Sequence, residues 1–180
     1  MEMPEFHVFA KIPRIYRNAR ITEKIDGTNA QVLVTDDGRV LAGSRTRWIT
    51  KENDNFGFAA WVEEHADELR GLGPGRHYGE WWGPGIQRGY GMAEKRFSLF
   101  NVTKWDGAPD RPKCCHVVPS LDHGPFSLTM VTACLQLLRI KGSRASPGFM
   151  RPEGVVVFHE ASGHLYKATL ENDGQPKTLY

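Results

Sequence analysis

The sequence has no run of about 18 or more apolar residues, so no helical segment is expected to cross a membrane. Its first residues, Met-Glu-Met-Pro-Glu-Phe, lack the basic start and apolar stretch of a secretion signal. Cysteine is scarce. The three residues include adjacent Cys114 and Cys115, and the odd count offers no disulfide framework. Those two, with His116, lack the spaced ligand pairs of a structural zinc site. A reducing, cytoplasmic setting is the expectation that follows. Charge of one sign is also missing: with a net +2, nucleic-acid binding would need a local patch rather than an overall basic character. No internal repeat, low-complexity tract or inter-domain linker interrupts the chain.

What is present is 180 residues, 40% hydrophobic and 24% charged, enough for a single domain over 1–180 with a sizeable core. Residues 29–45 read as a hairpin, with Val32 and Val34 alternating before the turn pair Asp37-Gly38. A two-residue loop there sets Ala30 opposite Arg45 and returns Arg45 to the neighbourhood of Asn29 and Lys24. Residues 55–70 carry Phe58, Trp61, Val62, His65 and Leu69 at helical spacing, with Gly71 beyond the end. His65 is expected to pack or to be exposed. A second helix begins at Ser127 and stops at Gly142. Residues 76–82 and 97–102 suit aromatic-rich strands, and 155–158 a buried strand whose partner returns over 164–169. Lys11, Arg14, Arg17 and Arg20 recur every third residue, either a phosphate-tracking patch or a solvated face.

The most informative stretch is Glu-Lys-Ile-Asp-Gly-Thr-Asn (23–29). A lysine followed closely by an acid and a glycine suits covalent attack on a nucleotide α-phosphate, which splits one hard reaction into easier steps. Such a lysine needs nearby cations to lower its pKa. Gly27 is expected to let the backbone pass close to the nucleotide.

Further blocks follow in order: Gly-Ser-Arg-Thr-Arg (43–47), Tyr-Gly-Glu-Trp-Trp-Gly-Pro-Gly-Ile-Gln (78–87), Phe-Ser-Leu-Phe-Asn-Val (97–102), Pro-Glu-Gly-Val-Val-Val (152–157) and Leu-Tyr-Lys-Ala-Thr (165–169). Together they resemble the covalent nucleotidyltransferase superfamily of ATP-dependent ligases and capping enzymes, most closely the nick-sealing RNA ligases. The resemblance implies an α+β, ATP-grasp-like adenylation core of antiparallel sheets with flanking helices and the nucleotide between them. It implies Lys24 as nucleophile, Glu153 as ligand to Mg²⁺ or Mn²⁺, and Lys167 on the α-phosphate. Glu23 would contact the adenine, Asp26 and Asn29 the ribose, phosphate or attacking strand, and Arg45 phosphate or sugar. Glu80 would bind ribose hydroxyls or support metal, and Phe100 would stack on the base, with Phe97 as the alternative. Asp26 stands where some RNA ligases have histidine.

Glu153 and Lys167 can serve one ligand if Val155 lies opposite Lys167, which needs an odd-membered loop; Val156 in that place counts against a shared role. Thr169 stands where the family commonly has a second lysine, and Lys177 is a candidate replacement. Few residues follow Lys167, so no OB domain is expected. The implied activity is ATP-dependent ligation of 5′-phosphate and 3′-hydroxyl ends, RNA preferred, by a monomer of bacterial or phage origin. Substrate grip would come from the core, the N-terminal basic segment or an accessory protein. A minimal DNA ligase, an end-modifying nucleotidyltransferase and a catalytically weakened nucleotide- or RNA-binding module remain alternatives.

Overall fold

The computed structural model describes residues 3–171. Within them the chain builds two sheets. The first has four strands in the order β10-β9-β1-β8, where β1 is Asn18–Lys24, β8 Ser120–Pro125, β9 Gly154–His159 and β10 His164–Thr169. The second has six, in the order β4-β3-β2-β5-β6-β7: Trp48–Ile49, Val40–Ser44, Thr28–Val34, Gly75–Trp82, Arg96–Leu99 and Cys115–Val117. All pairings are antiparallel except β6 with β7.

Strand alternation decides which face each sheet buries. Along β1, Ala19 and Ile21 point inward and join Val155 and Val157 of β9 against Leu138 and Cys134 of a helix, α4, Leu128–Lys141. That helix starts as the sequence indicates, with Ser127 Oγ accepting from the Met130 N–H at 3.1 Å, and it ends at Gly142. On the second sheet Val32, Val34, Trp81, Phe97 and Leu99 pack against Phe58, Val62 and Leu69. A third cluster, Ile25, Trp82, Tyr90, Val102 and Val118, ties the sheets together where β1 runs into β2. Helices thus cover the outer faces, and the inner faces meet at a cleft.

Several elements differ from the sequence expectation. The 29–45 hairpin pairs Ala30 with Ser44, one residue out of the expected register. Its loop takes three residues, because Thr35 and Arg39 pair around Asp36-Asp37-Gly38 and Gly38 takes φ 81°. The 55–70 helix is broken at His65 into α1, Phe58–Glu64, and α2, Ala66–Leu69, and a 3₁₀ turn over Arg70–Leu72 takes up Gly71. His65 stacks on Trp61, ring centroids 4.8 Å apart, away from the cleft. The strand expected to reach residue 102 stops at Leu99, since Asn101 caps a short helix, α3, Val102–Trp105. Lys11, Arg14 and Arg17 are exposed ahead of β1, while Arg20 lies within that strand. Lys177 lies outside the described residues.

Candidate active site

Lys24 is the last residue of β1 and faces the cleft with Arg20 and Thr22, opposite to Ile21 and Glu23. Its Nζ donates to Glu153 Oε2 at 2.6 Å, an ion pair largely shielded from solvent. Glu153 stands just ahead of β9, whose first residue, Gly154, pairs with Lys24 on one side and Thr169 on the other. Gly154 has φ 157°, and a Cβ there would run into the Ala168 carbonyl oxygen. Only glycine fits such a contact. Gly154's positive φ departs from regular strand geometry at the strand end, where the Glu153 carboxylate reaches Lys24.

This resolves a register question against the sequence expectation. Val156, not Val155, lies opposite Lys167, because the loop between His159 and His164 has an even number of residues and closes on Gly163 at φ 68°. Glu153 lies outside β9, so strand parity does not fix the side to which its carboxylate turns. Thr22, Val156 and Lys167 form one rung and Lys24, Gly154 and Thr169 the second beyond it, so Lys167 shares the face of Lys24 after all. The residue abreast of Lys24 is Thr169.

Across the cleft, Glu80 of β5 pairs with Asn29 of β2. Its Oε1 accepts from the Gly27 N–H at 3.0 Å. Burial pushes its carboxyl up to about 7. The Lys24 charge pulls it down and the carboxylates of Glu153 and Asp26 push it further up, so these four groups feel one another. Gly27 is also required by packing. A Cβ there would lie 2.5 Å from the Trp81 carbonyl oxygen and 2.7 Å from Trp82 Cβ. The glycine lets the β1–β2 turn pack on β5 and aims its amide at Glu80.

Asn29, Arg45 and Phe100 line one pocket with Gln31, Ser44 and Tyr78. The observed register places Ser44 opposite Ala30 and so brings Arg45, the next residue, level with Asn29 on the same side. The two phenylalanines separate cleanly. Phe97 is 0% exposed, inside the core against Phe58 and Trp61, whereas Phe100 is 40% exposed at the pocket.

Two residues expected to contact a ligand, Glu23 and Asp26, are engaged by protein groups. Glu23 is buried behind β1, accepting from Ser143 Oγ at 2.6 Å, Arg144 N–H at 2.7 Å and Ala145 N–H at 3.0 Å. Burial raises its pKa and these donors counter the rise. The carboxylate points away from the cleft and anchors the strand end that carries Lys24, so the fold does not bring it to a base. Asp26 pairs with Arg88 Nε at 2.9 Å, and Arg88 in turn donates to the carbonyls of Arg151 and Pro152 at 3.0 and 3.4 Å. Asp26 therefore braces the segment that presents Glu153. The Asp26 N–H donates to the Tyr90 hydroxyl at 3.0 Å.

Arg88, Tyr90 and Ser143 are the site-building residues that the sequence reading missed. Gly89-Tyr90-Gly91 is the local signal for Tyr90: all three of these residues take positive φ, Tyr90 at 54°, and the tyrosine folds beneath the turn that follows Lys24.

Among the described residues no three acidic, histidine or cysteine side chains converge into a ready-made metal cage. The carboxylates near Lys24 are nonetheless hard oxygen donors, and Glu153 already holds a cation, the Lys24 ammonium. Such a set fits Mg²⁺ or Mn²⁺ held by one or two carboxylates together with phosphate oxygens and water.

A family model described as RNA ligase matches residues 17–169. Solved structures of an RNA ligase from Naegleria gruberi share the fold. One variant with ATP and Mn has a TM-score of 0.62 at 19% identity, over 86% of this chain and 49% of that one. The same enzyme with PPi gives 0.62 at 19% identity, over 93% and 57%. A variant with AMP and Mn gives 0.60 at 18% identity, over 86% and 50%. The chain thus spans about half the length of these structures.

Proposed function

The chain belongs to the RNA ligase family, and on that premise we propose that it joins polynucleotide ends, RNA preferred, at the expense of ATP through a lysyl-AMP intermediate. The observation that carries this reading is the Lys24–Glu153 pair at 2.6 Å on one wall of a cleft whose other wall presents Glu80, Asn29, Arg45 and Phe100.

In the first step Lys24 Nζ, its proton released to solvent, attacks the α-phosphorus of ATP. The N–P bond forms, the bond to the bridging oxygen breaks, and pyrophosphate leaves. An oxygen of a 5′-phosphate then attacks that phosphorus, which breaks the N–P bond, frees the lysine and leaves AMP on the strand end. Finally a 3′-hydroxyl attacks the 5′-phosphate, loses its proton to solvent, closes the phosphodiester and expels AMP. Glu153, with phosphate oxygens, would hold the Mg²⁺ or Mn²⁺ that supplies charge neutralisation of the triphosphate.

Phe100 stacks on the base, Glu80 accepts from ribose hydroxyls, and Arg45 with Asn29 holds phosphate or the acceptor strand. Lys167 reaches the α-phosphate from the same face as Lys24. Glu23 and Asp26 act through their neighbours, as positioning residues. The protein works as a cytoplasmic monomer, with the exposed Lys11, Arg14 and Arg17 or an accessory protein adding grip on the strand.

The test is incubation with ATP labelled at the α-phosphate and Mg²⁺ or Mn²⁺, beside Lys24→Ala. Covalent label on the wild type and none on the variant is the expected result. No label with either metal, from folded protein free of prior AMP, sinks the proposal. A nucleotide-binding module without catalysis is the second reading, favoured by Thr169 standing abreast of Lys24 where a cation would help.

A further inference from the structure

The cleft face of the six-stranded sheet continues beyond the nucleotide pocket and is not covered there. Cross-strand pairing sets Trp48, Gly43, Gln31 and Tyr78 in one row, and the backbone N–H of Phe100 donates to Tyr78 O at 2.9 Å, which brings Phe100 to the end of it. Trp48 is 47% exposed and Tyr78 54%. Gly43 leaves a gap in this row, over which Gln31 lies; a Cβ at Gly43 would sit 2.8 Å from Gln31 Cγ. From the next row the Arg76 guanidinium covers the Trp48 ring at 5.1 Å and donates to Gln31 Oε1 at 3.0 Å. Gln31 in turn donates to the Ser44 carbonyl at 3.0 Å. Side chains that would otherwise move freely are thus fixed into a flat floor, aromatic at both ends and cationic along its edge. The span from Trp48 on β4 to Phe100 after β6 is four strand spacings, about 19 Å.

We propose that this floor is a binding track for an unpaired RNA strand, continuous with the nucleotide pocket. Bases stack on Trp48 and Tyr78, and phosphates pair with Arg76 and Arg45. Exposed aromatic side chains on a sheet are a sequence-tolerant stacking platform for single strands. A protein partner fits less well. Among the described residues that strand alternation turns to this face, the one carboxylate, Glu80, is buried and bonded to Gly27, so along the row from Trp48 to Tyr78 the charged side chain beside the floor is the Arg76 cation. The track deepens the ligase reading by saying how the strand is held, and it rests on that reading only for its direction of travel.

The experiment is fluorescence anisotropy with a labelled, 5′-phosphorylated single-stranded oligoribonucleotide and its abasic counterpart. It compares the wild type with Trp48→Ala, Trp48→Phe and Arg76→Ala, and each protein is also scored for AMP labelling from ATP. Trp48→Ala is expected to weaken binding of the natural strand roughly fivefold to a hundredfold while leaving the abasic strand and AMP labelling unchanged. Trp48→Phe should recover most of the loss, and Arg76→Ala should weaken binding and flatten its salt dependence. Unchanged affinity in both alanine variants overturns the track. So does an equal loss for the abasic strand, or a loss of labelling in step with binding, which would mark Trp48 as a packing residue. Absence of AMP labelling in the wild type would overturn the ligase reading alone and leave the binding comparison standing.

Discussion

Behind β1 the Glu23 carboxylate meets three donors from the turn that follows α4; in front of it, across the cleft, Glu80 meets one, the Gly27 amide. Both are buried acids near the same lysine, and burial raises the pKa of both. What separates them is how many protein groups answer the charge. Glu23 is fully engaged and serves the scaffold, whereas Glu80 keeps an oxygen for a ligand. Phe97 and Phe100 repeat the contrast three residues apart, one enclosed by the core and one facing the pocket.

The comparison breaks most visibly at the phenylalanines. Phe97→Ala removes an enclosed ring and is expected to cost about 3–5 kcal/mol in urea unfolding. Phe100→Ala should change stability by less than about 1 kcal/mol yet weaken nucleotide labelling at limiting ATP. Glu23→Ala strands a hydroxyl and two amides in the interior, and about 3 kcal/mol should be lost by the same measurement. If stability holds and only nucleotide affinity falls, Glu23 is a ligand contact after all.

Glu80 sharpens the contrast through pH. Between its ordinary value of 4.5 and about 7, the folded chain keeps a proton that the unfolded chain has shed. Stability should therefore decline as pH rises through that window, with a cost of up to about 3 kcal/mol fully present above it. Glu80→Gln keeps an acceptor for Gly27 but removes the slope, so it should match the wild type near pH 4 and exceed it near pH 8 in thermal melts, while losing activity. Ser143→Ala takes one of three donors from Glu23 and should cost about 1–2 kcal/mol, with labelling of Lys24 retained.

Local chemistry was the legible part of this chain. Ser127 and Gly142 bound α4 as their capping preferences indicate, and among the motif residues Lys24 meets Glu153 while Asn29, Arg45 and Phe100 line one pocket. Counting residues through turns was less secure. The Asp37-Gly38 hairpin shifted by one residue because Thr35 bonds to Arg39 across a longer loop, and the shift is what turns Arg45 toward Asn29. β1 passed unnoticed because its partners, β8 and β9, lie far along the chain and its exposed face is polar. For the same reason the protein partners of Asp26 and Glu23 were hidden: nothing near them in sequence announces Arg88 or Ser143.

The bond from Lys24 to Glu153 spans 129 positions of sequence, and the strand bearing Lys24 is hydrogen-bonded on both edges to segments from the last third of the chain. Lys24 therefore leaves the ribosome well before the segments that hold it in place. Pairings this distant in sequence form slowly, because a long loop must close before any contact rewards it. A half-made chain carries the lysine without the carboxylate that faces it, so this pair is completed late in folding.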